Sequence, residues 1–192
     1  DPTLLPGAVR RDYRVVADWA ADYAGQRRVV VVCHQGLKLS EGVAAWLRHL
    51  GVAAESLEGG HRAWRQAGGL TFSPERLPSA GTSGGSVWVT RARPKVDRIA
   101  CPWLIRRFID RQAVFLFVAA PEVEAVANRF GATPFDIEGV FWSHRGPLCT
   151  FDVMIEEFRL VSPALDRLAR IVRAADTATL ESEPQAAGLL AA

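Results

Sequence analysis

Three groups of side chains in this 192-residue chain have the types and spacing to do chemistry. The first is centred on Cys33, which ends the β-branched run Arg28 to Val32 and opens the loop HQGLKL before a helical stretch. A thiol between a strand end and a helix start meets convergent backbone N–H groups and the positive end of the helix dipole. Its thiolate is stabilised there, its pKa falls, and it becomes a nucleophile at neutral pH. Gly36, Lys38 and Ser40 share the stretch and are candidate anion contacts, against the alternative of a small buried hydrophobe at a strand end. The second group lies between Ser86 and Arg111, where seven cations (Arg91, Arg93, Lys95, Arg98, Arg106, Arg107, Arg111) meet only Asp97 and Asp110. The whole chain carries a formal charge of +2, so the positive field is concentrated in this segment. The third is SHRGPLCTFD, in which His144, Cys149 and Asp152 are of metal-binding type and Arg145 beside Gly146 suits an anion. The spacing of that trio matches no standard zinc pattern, so a hydrogen-bonded histidine and a packed cysteine stand beside the metal reading.

The elements that must position these groups follow from periodicity. Val15, Val16, Trp19, Ala20 and Tyr23 give an amphipathic helix over 12–23, Arg28 to Val32 a strand buried on both faces, and residues 40–50 a helix capped by Ser40. A strand over 52–57 and a short helix over 61–67 follow. Residues 71–86, rich in Gly, Pro and Ser, read as a linker. SVWVTR is a strand and Pro94 turns the chain. A helix then runs from Asp97, which Pro102 either kinks or starts. Residues 113–118 form a strand and 121–130 a helix ended by Gly131. Short strands lie at 135–137 and 140–142, and a helix begins at Ser162-Pro163 and runs to Asp176.

With 49% hydrophobic residues the chain can build two small cores, and an α/β domain over 1–70 and a second α/β or α+β domain over 87–192 are expected. Cys33, Cys101 and Cys149 are an odd number without framework spacing, which fits reduced thiols and a cytoplasmic setting. No apolar run approaches the ~18 residues of a membrane span. The near-neutral charge and lack of a reading motif speak against nucleic acid. Nothing in the sequence requires a cofactor.

The motifs KVDRIACPWLIRRFID, AVFLFV, GATPFDI, SHRGPLCTFD and IVRAADT, in order over about 88–177, resemble the chromate-resistance protein family through its ChrB C-terminal domain. The segments LLPGA, VVVVCHQGLKLSEGVAAWLRHLGV and SLEGGHRAWRQAGG, over 4–69, resemble the rhodanese domain. The second resemblance implies a parallel sheet with flanking helices, a persulfide on Cys33 and an anion cradle in the loop that follows. The helix's Ala44-Ala45 pair falls a residue farther from the cysteine than is usual. Loops of that length are associated with phosphate or arsenate rather than sulfane sulfur. Lys38 stands where an arginine is usual. The rhodanese pattern's first strands and the segment usual after the chromate-resistance motifs are missing, so both ends are expected to be truncated.

These resemblances imply a chromate-resistance protein. Chromate, or a related tetrahedral oxyanion, would be bound by Lys95, Arg98, Arg106 and Arg145 beside the redox thiols Cys101 and Cys149, whose pKa those cations would lower. The alternative is a sulfurtransferase or oxyanion-processing enzyme with Cys33 as nucleophile and a sulfur donor such as thiosulfate. In a third reading both domains are binding modules and Cys33 is inert.

Overall fold

A computed structural model describes residues 2–25, 28–79 and 84–191, and the chain divides into two compact units, Ala8–Leu70 and Asp1–Gly7 with Thr71–Ala192. The N-terminal residues, expected with the first domain, pack with the second unit. Leu4 and Phe72 exchange both backbone hydrogen bonds at 2.9 Å, and Gly7 N–H donates to Phe108 O at 3.0 Å. The front of the expected linker is likewise packed, with Phe72 and Ser73 buried and a 3-10 turn at Pro74–Arg76. Its residues 80–83 lie outside the described residues.

In the unit Ala8–Leu70, β1 (Val29–Val31) and β2 (Ala54–Ser56) pair in parallel, Val29 opposite Ala54. The expected first helix is broken into 3-10 turns around a short α1 (Val16–Trp19). Between the strands runs α2 (Lys38–His49), and after them α3 (Gly60–Gln66). Val16, Ala20, Ala44, Leu47, Val52 and Ala54 form one apolar cluster, so the stripes of α1 and α2 close over the small sheet. Helix α2 starts two residues ahead of the Ser40 expected as its cap. Leu37 takes the cap position, and Ser40 is buried in the first turn.

The second unit carries a three-stranded parallel sheet of order β4-β3-β5, from β3 (Val87–Arg91), β4 (Val114–Val118) and β5 (Thr133–Pro134). Side chains of β3 alternate between its faces. Val89 packs with Val123 of α5 (Val123–Phe130) and Ala132. Trp88, fully buried, meets Phe135 and Trp142 edge-on, and Trp142 stacks on Phe158 at 5.0 Å. Beyond the strands lie α4 (Asp97–Leu104), α6 (Thr150–Glu157), α7 (Pro163–Asp176) and α8 (Ala186–Ala191). Pro102 lies inside α4 and starts nothing. It lacks an N–H for the helical ladder, and α4 continues as a π-helical turn at Ile105–Ile109. The short strands expected at 135–137 and 140–142 reduce to one bridge between Phe135 and Trp142. Both units are α/β, with small parallel sheets and flanking helices. Among the described residues no helix is long and apolar enough to cross a membrane.

Candidate functional site

In the first unit Cys33 lies between β1 and α2, partly exposed, with Sγ 3.2 Å from Ser40 Oγ. The Ser40 hydroxyl has one proton and donates it to Leu37 O at 3.0 Å while the thiol keeps its own. When the thiol ionises, that proton can turn to sulfur. Burial works against the thiolate, but hydrogen bonds from the Ser40 hydroxyl and the amides of Ser40, Leu37 and Gln35 outweigh it and bring the Cys33 pKa down to about 7. The loop is held from the other side by α3. His61 N–H donates to Cys33 O at 3.0 Å and Arg62 N–H to His34 O at 3.1 Å. Gly36 and Gly60 both have positive φ and pack backbone to backbone, so that a Cβ on Gly60 would collide with Cys33 O and Gly36 N. Lys38 is exposed at the first position of α2. The rings of His34 and His61 stack 6.3 Å apart, and burial together with His34 lowers the His61 pKa.

In the second unit three of the four expected anion contacts, Arg98, Arg106 and Arg145, are engaged with partners of their own. Arg98 Nε lies 3.1 Å from Asp136 Oδ2 without hydrogen-bond alignment, and its Nη1 donates to Ala92 O at 3.2 Å. Arg106 donates to Ala113 O at 3.1 Å and covers the Phe115 ring. Arg145 pairs with Glu157 at 2.8 Å and covers Phe141, and Lys95 is exposed. Cys101 and Cys149 are buried, and their pKa values move up instead of down. Burial is the main cause, and the nearby Asp97 carboxylate adds to it, because carboxylates rather than cations surround them. They are not poised as thiolates.

Carboxylates converge instead. Asp97, the first residue of α4, is fully buried, and its Oδ2 accepts from Thr150 N–H at 2.6 Å. Asp136, held at φ 51°, accepts from the Thr150 hydroxyl at 2.9 Å through Oδ1. Asp176 is the last residue of α7. His144 Nε2 lies 3.1 Å from Asp176 Oδ2, 3.5 Å from Asp97 Oδ2 and 3.6 Å from Asp136 Oδ1. Burial, then Asp176 and Asp136, push the Asp97 pKa up to about 7, against the Thr150 amide and the Cys149 thiol. Burial and Asp136 raise Asp176 as well, opposed by His144 and Arg98.

Of the trio His144, Cys149 and Asp152, His144 brings its imidazole into this cluster and Cys149 reaches only the Asp97 carboxylate. Cys149 N–H donates to Asp152 Oδ2 at 3.0 Å, and Arg173 holds Asp152 Oδ1 at 3.3 Å, so the other two cap the start of α6. Asp97, Asp136 and Asp176 were not singled out by sequence spacing. They come from different elements, and only their place in recognisable motifs, such as GATPFDI and IVRAADT, marked them.

No solved structure matches this chain. Over 93 residues, 48% of its length, it is 38% identical to Protein ChrB of Cupriavidus metallidurans, and it spans only 28% of that protein. Residues 88–192, which hold the aromatic core and the Asp and His cluster, match the family model of the ChrB C-terminal domain, and the chain belongs to that family.

Proposed function

We propose that this chain serves chromate resistance and that its reactive part is the Cys33 loop, a thiolate in an amide-lined cradle for a tetrahedral oxyanion, chromate first. Family membership supports the resistance role. The observation that supports the chemistry is the convergence of the Ser40 hydroxyl and three amides on Cys33 Sγ, with a pKa of about 7. Donors fixed around a centre of negative charge need no reorganisation when an anion arrives. In the step proposed, the thiolate attacks chromium, an S–Cr bond forms and one Cr–O bond breaks. Two protons carry the departing oxygen away as water. Chromium remains hexavalent in the resulting thioester, so no outside reductant is needed. Sulfate offers the same shape and charge but does not exchange its oxygens with a thiolate in this way, which is the basis of selectivity.

The same donors favour a second reading. Amides that stabilise an anionic sulfur at Cys33 serve equally for attack on the sulfane sulfur of thiosulfate, which forms a Cys33 persulfide and releases sulfite. Intact-mass spectrometry after separate exposure to chromate and to thiosulfate distinguishes the two. An adduct of one chromate per wild-type chain, missing in Cys33→Ser, is the expected result. A single added sulfur from thiosulfate with no chromate adduct would shift the function to sulfur transfer. No adduct from either would leave Cys33 inert and overturn both.

A further inference from the structure

The cluster in the second unit goes beyond the Cys33 reading and does not depend on it. One ligand atom each from Asp97, His144 and Asp176 lies within 4.8 Å of the other two, a spacing that a single ion can bridge. Two carboxylates held that close repel each other unless a cation sits between them. The neighbouring guanidinium, Arg98, is directed to Asp136 and to a backbone carbonyl. A second observation is independent of the spacing: Asp97 is fully buried, yet its Oδ1 has no hydrogen-bond partner among the described residues. A buried carboxylate oxygen without a partner is an exception that needs explaining. A metal ion held by both Asp97 oxygens would give Oδ1 its partner and set a divalent charge between the two carboxylates.

The surroundings have the form of a supporting shell. Thr150 fixes the Asp97 carboxylate through its amide and Asp136 through its hydroxyl, so the ligand and its flank are set by the start of one helix. Asp97 opens α4, Asp176 closes α7, and His144 precedes α6, so an ion would tie together three segments separated in sequence. The His144 side chain is 43% exposed, which leaves a path to solvent and room for water as further ligands. Two carboxylates and one imidazole are hard to borderline donors. They suit Mn(II), Fe(II), Co(II) or Zn(II) better than a thiophilic ion, and the imidazole disfavours Mg(II) and Ca(II).

We propose that Asp97, His144 and Asp176 form a binding site for a divalent first-row metal cation, with its remaining positions open to water or an exogenous ligand.

The test uses Co(II) as an optical probe on the intact chain after treatment with chelator, with Mg(II) as competitor. The expected result is one Co(II) per chain with visible bands of oxygen and nitrogen coordination, insensitive to Mg(II) and unchanged in Cys33→Ser. Each variant removes a direct ligand, so affinity should fall at least as far as the roughly 10- to 100-fold lost with an outer-shell partner, in both Asp176→Asn and His144→Gln. Thermal melting serves as the fold control. Co(II) should raise the melting temperature of the wild type but not of Asp176→Asn, whose metal-free form should melt no lower than the wild type. Absence of Co(II) binding by the wild type would overturn the site and leave His144 as an ion-pair partner of the acids. Equal binding by both variants, or a thiolate absorption band lost in Cys33→Ser, would also overturn it.

Discussion

At the scale of the residue, what separates the three cysteines is what surrounds each sulfur. Cys33 has amides and a hydroxyl, whereas Cys101 and Cys149 have burial and a carboxylate. The rate of iodoacetamide labelling at Cys33 should therefore rise through about pH 7, while the other two stay unlabelled in the folded chain. Ser40→Ala removes one of the donors and should move that midpoint upward, toward the ordinary thiol value of about 8.5. A midpoint unchanged in Ser40→Ala would show that the hydroxyl contributes nothing. The surroundings of Cys33 are legible in sequence because they are local, with strand, thiol and helix start adjacent in the chain. Those of Asp97 are not. It reads as a counter-charge in a basic segment, and nothing within that segment signals that it is buried near Asp136, His144 and Asp176.

At the scale of the element, the glycine pair is the joint between the Cys33 loop and α3. Gly60→Ala places a methyl group against Cys33 O and Gly36 N at a positive φ, and should cost roughly 1–3 kcal/mol. Urea unfolding monitored in the first unit would measure it, and a loss below a few tenths of a kcal/mol would contradict the packing. Strands and helices were largely legible because periodicity is a property of a single element, as in β3 and α7. Two features were not. Pro102 reads as a break, but packing of Cys101 and Leu104 in the core carries the helix past it into a π-helical turn. Cys149 and Asp152 read as metal donors because their types are right, while their actual work is at the start of α6, where orphan N–H groups need acceptors.

At the scale of the molecule, part of the basic segment that dominates the sequence is taken up in packing. Arg98 and Arg106 close carbonyl ends, Arg106 covers the Phe115 ring and Arg98 lies against the buried Asp136, and the chemistry proposed above is placed in the Cys33 loop and the acidic cluster. Each belongs to its own unit, so damage to one core should spare the other site. Trp88→Ala empties the centre of the second core and should cost about 3–5 kcal/mol. Co(II) binding should be lost with it while the Cys33 labelling profile stays as in the wild type. Retained Co(II) binding in a Trp88→Ala chain would contradict the dependence of that cluster on the aromatic core. The measurement that bears most directly on the proposed function is a titration of the wild type and Cys33→Ser with chromate against a background of excess sulfate, followed by the chromate absorption band. A saturable spectral change with one chromate per chain, present only with Cys33 and weakening as pH rises above 7 because the step consumes protons, is the predicted result. An identical response from Cys33→Ser, or its suppression by the sulfate, would contradict it.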